Sequence, residues 1–95
     1  VPAVKIAVHY RAQVRQAANA ACEQVEVEEP CSVLELLARL ADRHGEPLRK
    51  LLLDPDGRPQ PTVLIFVGDQ QVGPGERAEL REGDVVTVLS PMAGG

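Results

Sequence analysis

One helix limits what this chain can build. Ser32 and Glu35 form an S-x-x-E pattern directly ahead of an apolar periodicity. This is the capping-box signature, in which each side chain covers an orphan backbone N–H at a helix start. Val33, Leu36, Leu37, Leu40 and Ala41 fall at i, i+3, i+4, i+7 and i+8 and make one apolar stripe. Glu35, Arg39, Asp42 and Arg43 lie mostly opposite, and Glu35 to Arg39 is an i,i+4 ion pair in the favourable order. Gly45 is a natural stop, and Pro47 cannot continue the hydrogen-bond ladder. The spacing predicts a helix from Ser32 to His44. A single strong amphipathic helix has one stripe to bury, and one face of one sheet covers it.

The rest of the chain supplies that sheet. Val4, Ile6, Val8 and Tyr10 alternate with more polar residues and share one face, the period-2 mark of a strand. Residues 11–22 are Ala- and Gln-rich with weak periodicity. They read as a loop with room for one helical turn, although the Ala content permits more helix. From Gln24 to Glu29, Val25 and Val27 face one way and Glu26 and Glu28 the other, as in an edge strand protected by its charges. Leu48 to Leu53 is a second, short helical piece offering Leu48, Leu51 and Leu52 for burial. Residues 54–61 hold three prolines and form a turn and loop cluster. Thr62 to Val67 is apolar on both faces, as a central strand is. Gly68 to Val72 reads as a turn with a strand end, and Val85 to Leu89 as the last strand. The expected fold is an α+β roll with one main helix on a mixed sheet of four to five strands. The domain is 1–89, and 90–95 is a tail.

Composition removes several functional classes. The chain has 95 residues, enough for one domain. A net charge of −4 argues against general phosphate-backbone binding. Aromatic residues make up only 2%, too few for a base-stacking platform, so no nucleic acid partner is expected. No apolar run approaches the ~18 residues of a membrane span, and no basic start precedes an apolar stretch as in a secretion signal. Cys22 and Cys31, with eight residues between them, fit neither CxxC nor a zinc spacing and read as free thiols in a reducing cytosol. His9 and His44 have no carboxylate, Cys or second His at helical metal spacing, so a structural role is expected of both. Gly73-Pro74-Gly75 lacks the Gly-Lys-Ser/Thr of a phosphate loop. Asp54, Asp56, Asp69 and Asp84 are scattered as turn residues are.

The end of the sequence is different. Asp84 is its last charged residue, and the stretch Val85 to Gly95 closes on Gly94-Gly95. Glycine lacks Cβ, so such a tail fits a slot too narrow for side chains. A terminal Gly carboxylate is also open to adenylation and to attack by a sulfur or amine nucleophile. From composition alone, a frayed chain end reads equally well.

Four stretches together resemble the β-grasp, ubiquitin-like sulfur carriers of the MoaD/ThiS family. Tyr10-Arg11-Ala12-Gln13-Val14-Arg15 is similar to the segment after strand one in the molybdopterin synthase small subunit. The Ser32–His44 helix resembles the family helix with its Ser/Thr cap. Glu82 to Leu89 resembles the D-G-D-x-V last strand, and Ser90-Pro91-Met92-Ala93-Gly94-Gly95 the family tail. Arg11, Ser90 and Gln71 stand where molybdopterin synthase subunits tend to place an aromatic, a proline and an apolar residue, which makes the docking face more polar. The thiamine carriers are shorter and lack room for residues 46–61. The Leu53-Asp54-Pro55-Asp56-Gly57 loop, the Val-Thr-Val-Leu strand and the Ala-Gly-Gly ending are also similar to the cysteine-synthesis carriers.

The resemblance implies a sheet with the first and last strands parallel at its centre. It implies an E1-like, MoeB/ThiF-type adenylyltransferase that uses ATP and Mg²⁺ to activate Gly95, which becomes a thiocarboxylate. The chain itself binds no cofactor or metal and is a carrier rather than an enzyme. Gly94 threads the tail into the partner. Leu89, Pro91, Met92 and Ala93 make apolar contacts at its base, and Arg15 pairs with a partner carboxylate. The sulfur acceptor is the molybdopterin synthase large subunit or, in the alternative, a cysteine synthase. A ubiquitin-like modifier joined to lysines through Gly95 is a further alternative. A cytoplasmic location goes with all three.

Overall fold

Strand β1 (Ala3–Ala12) and strand β5 (Val85–Ser90) run parallel, with Ala7 opposite Val85 and Ala12 opposite Ser90. The computed structural model describes residues 3–28, 31–46, 48–60, 63–73 and 79–90. Strand β2 (Cys22–Glu28) pairs antiparallel with β1 on its outer side. Strand β3 (Leu64–Val67) pairs antiparallel with β5 and with the short β4 (Gln70–Val72). The order β2-β1-β5-β3-β4 gives one five-stranded mixed sheet with the first and last strands adjacent in its interior. This is the β-grasp roll expected from the sequence.

The alternations predict the core. Val4, Ile6, Val8 and Tyr10 of β1, Val25 and Val27 of β2, and Val86 and Val88 of β5 are all buried. Helix α2 (Val33–His44) buries all five residues of its stripe against the same core. Each fully buried Leu there is worth about 1.5–3 kcal/mol relative to exposure. The Ser32 half of the capping box is formed, with the Glu35 N–H donating to Ser32 Oγ at 3.2 Å. Arg43 and His44 occupy the last turn, and Gly45 follows at φ 70°. Helix α3 (Leu48–Leu52) buries Leu48 and Leu52, while Leu51 stays half-buried. Asp54 and Asp84 are turn residues as expected. Asp54 Oδ1 accepts the Asp56 and Arg58 N–H groups at 2.9 Å, and Asp84 Oδ2 accepts that of Arg81 at 2.8 Å.

Residues 11–22 differ from the expected loop. Strand β1 continues through Arg11 and Ala12, and helix α1 (Gln13–Ala18) follows at once. Val14 and Ala18, four apart, are both buried, and this two-residue anchor is too short to register as a periodicity. Among the described residues, no side chain caps the helix start. The turn is made by Ala12 itself at φ 58°, ψ −134°, a conformation that L residues rarely adopt. Asn19 ends the helix in the left-handed region, which Asn tolerates. Strand β5 also runs one residue past the expected Leu89, to Ser90.

Candidate functional site: the end of strand β5 and the half-buried Glu23 cluster

Strand β5 ends at Ser90, opposite Ala12, where β1 turns into α1. Arg15 is exposed on α1 beside that point. It borders a cavity of about 620 Å³, shared with Ala12, Gln16, Asn19, Ala20 and Ala21. Leu89 is half-buried, with Arg11 beside it on β1 and Leu64 on β3. Leu89 and Thr87 alternate with the fully buried Val86 and Val88, so they face away from α2. On this open face His9, Thr87, Phe66 and Gln71 form one cross-strand row. Arg11, Leu89 and Leu64 form the next. Two of the polar departures, Arg11 and Gln71, therefore flank the apolar centre of that face. Pro91, Met92, Ala93, Gly94 and Gly95 lie outside the described residues, as does all of the 90–95 tail but Ser90.

On the opposite face, the same end of the sheet holds a polar cluster that sequence reasoning missed. Glu23 points inward from β2, in phase with Val25 and Val27. Its Oε2 accepts hydrogen bonds from the Tyr10 hydroxyl and from His44 Nε2, both at 2.5 Å. Its Oε1 lies 3.1 Å from Arg43 Nε. Burial alone pushes the Glu23 carboxyl up. The hydrogen bonds from Tyr10 and His44 and the charges of His44 and Arg43 outweigh it, so its pKa lies below the ordinary carboxylate value. Tyr10 moves the other way, because burial and the adjacent carboxylate disfavour the phenolate and raise its pKa. Burial likewise pushes up the Cys31 thiol, with Glu35 adding to it and Arg39 opposing. A carboxylate on the core face needs partners to be tolerated. Here strand β1 and the last turn of α2 provide them.

The cluster's one sequence signal is the phase of Glu23 with Val25 and Val27. A strand read from Gln24 onward leaves it out. His44, expected as the last residue of the helix, is there and also ties that terminus to β2. Among the described residues, no group of three or more His, Cys, Asp or Glu side chains is placed to hold a metal ion. Among them too, no helix is long and apolar enough to cross a membrane.

Comparison with known proteins agrees with this arrangement. The ThiS family matches residues 8–95, a span that includes 46–61. A Pyrococcus furiosus protein assigned as molybdopterin converting factor, subunit 1, is 32% identical over 94% of this chain and 99% of its own, with a TM-score of 0.74. A chain of the Amycolatopsis orientalis BexX/CysO complex is 26% identical over 95% of this chain and 99% of its own, with a TM-score of 0.66. SAMP1, the small archaeal modifier protein 1 of Haloferax volcanii, shares the fold at TM-score 0.82 and 20% identity, over 96% of this chain and 99% of its own. Among curated proteins, nothing matches significantly. With the parallel β1–β5 centre, the capped helix and a family match that reaches its last residue, this chain belongs to the ThiS family of ubiquitin-like, β-grasp sulfur carriers.

Proposed function

We propose that the chain is a sulfur carrier of the molybdopterin synthase small-subunit type, serving molybdenum cofactor biosynthesis in the cytoplasm. The observation that carries the reading is the family match running through Gly94 to Gly95. The 32% identity to the Pyrococcus furiosus protein supports this branch. The chain is a co-substrate rather than an enzyme. An E1-like, MoeB/ThiF-type adenylyltransferase, with its own ATP and Mg²⁺, adenylates the Gly95 carboxylate and releases pyrophosphate. Sulfur delivery then displaces AMP and leaves a thiocarboxylate, which the molybdopterin synthase large subunit consumes. Gly94 carries no Cβ and lets the tail thread a narrow slot. Pro91, Met92 and Ala93 continue the apolar contact that begins at Leu89, and Arg15 pairs with a carboxylate of the partner.

The test is intact mass after incubation with the cognate activating enzyme, ATP and a sulfur donor. One O-to-S exchange at Gly95 is expected. Absence of both adenylate and thiocarboxylate with every cognate activator rejects the reading.

The 26% identity to a chain of the BexX/CysO complex favours a second reading, a carrier for cysteine biosynthesis. Offering the thiocarboxylate in parallel to a molybdopterin synthase large subunit and to a cysteine synthase separates the two. Covalent conjugates on cellular proteins, lost with Gly95, would instead mark a modifier.

A further inference from the structure

Beside the end of β5 lies a second, smaller cavity that the carrier chemistry does not use. Its volume is about 260 Å³, and its lining includes His9, Arg11, Arg15 and Cys22. The Tyr10 N–H donates to the Ala21 carbonyl at 2.8 Å, so Tyr10 and Ala21 are a hydrogen-bonded pair. The next pair in register, His9 and Cys22, is therefore of the close, non-hydrogen-bonded kind, with Cα atoms about 4.5 Å apart. Both side chains point to the open face, since Val8 and Tyr10 on either side of His9 are buried. Cys22 is an exposed free thiol, whereas Cys31 is buried. No carboxylate among the described residues lines this cavity. Among the described residues, neither Arg11 nor Arg15 is in an ion pair.

The juxtaposition puts a nucleophilic sulfur opposite an imidazole and next to two guanidiniums, groups that bind carboxylates. We propose that the Cys22–His9–Arg11–Arg15 cluster is a thiol-modification site for anionic, carboxylate-bearing disulfides of the glutathione class. The Cys22 thiol gives up its proton to solvent, and the sulfur attacks one sulfur of the disulfide. The old S–S bond breaks, a mixed disulfide forms at Cys22, and the other half leaves as a thiolate that takes up a proton. The disulfide is the only oxidant needed. Arg11 and Arg15 hold the carboxylates by charge-assisted hydrogen bonds and so select anionic over cationic reagents. The adduct stands over Arg15 and the end of β5 and blocks docking of the activating enzyme. That last consequence rests on the carrier reading.

The experiment treats the isolated chain with oxidised glutathione, with dicationic cystamine and with neutral 2-hydroxyethyl disulfide. Each rate is divided by that of a free cysteine peptide with the same reagent, and the modified residue is located by mass spectrometry. One adduct, on Cys22 and not Cys31, is expected. Its normalised preference for glutathione disulfide over cystamine should be about three- to tenfold, the size of two exposed guanidinium–carboxylate contacts. It should fall towards parity in R11Q/R15Q and at high salt. No adduct on Cys22, a cystamine rate equal to or above that of glutathione disulfide, or a preference unchanged in R11Q/R15Q would overturn the proposal. The adduct is then given to the activating enzyme. Failure of the unmodified chain to be adenylated counts against the carrier reading alone, because the thiolation rates require no partner.

Discussion

Tyr10 and His44, 34 positions apart in the chain, converge on a single oxygen of Glu23, with their rings edge to face at 87° and centroids 5.9 Å apart. An ionised carboxylate only accepts hydrogen bonds, so both the phenol and His44 Nε2 donate to it. The arrangement joins β1, the edge strand β2 and the last turn of α2 through one half-buried charge. Inward-pointing charge on an edge strand also works against pairing with a second chain.

Acid should weaken the fold through Glu23. Its folded-state pKa is lowered, so its contribution is fully present above the unfolded-state value of about 4.3. That contribution is lost as the pH falls below this value and through the lower folded-state pKa. Urea unfolding followed from pH 7 downward should show the loss, and E23Q should flatten it. An acid limb unchanged in E23Q would disprove the assignment.

Removing the phenol donor tests the cluster at neutral pH. Y10F keeps the ring in its buried site but takes one hydrogen bond from the carboxylate. It should cost about 1.5–3 kcal/mol, the range for bonds to charged groups. The same variant should raise the Glu23 pKa, read by carboxyl carbon NMR titration, and a titration that does not move would contradict the geometry.

Ala12 holds a backbone conformation suited to glycine, at φ 58° and ψ −134°. A12G should stabilise the protein by about 1 kcal/mol, because relief of 1–3 kcal/mol of strain exceeds the entropy cost of a glycine. A12V, branched at Cβ, should destabilise it. Urea midpoints measure both, and a lower midpoint for A12G would refute the strain.

Ser32 caps α2 through the Glu35 N–H. S32A should cost about 1 kcal/mol with no change in the slope of the unfolding transition. An unchanged midpoint would mean the cap is replaced by water at no cost.

Deleting Gly95 separates chemistry from folding. The carrier reading expects complete loss of adenylation with an unchanged thermal midpoint, since terminal residues contribute little to stability. Retained adenylation of the shortened chain would place the reactive carboxylate elsewhere.

Much of this protein is set by local pattern. The alternation of Val4, Ile6, Val8 and Tyr10, and the stripe Val33 to Ala41, fix which faces are buried, because side-chain period follows directly from backbone geometry. The four stretches from Tyr10–Arg15 to the Gly-Gly ending together made the family legible, since each is a run of contiguous residues. Only the tertiary structure decided what depends on distant partners. Glu23 reads as one more edge-strand acid until Tyr10 and His44, 13 and 21 residues away, are folded against it. Arg11, Leu89 and Leu64 become one row only when β1, β5 and β3 are in register. Helix α1 was hidden because Val14 and Ala18 find their burial in contacts beyond their own segment. Periodicity reports how a segment can be solvated on one side. It carries no record of which residue, elsewhere in the chain, will meet the other.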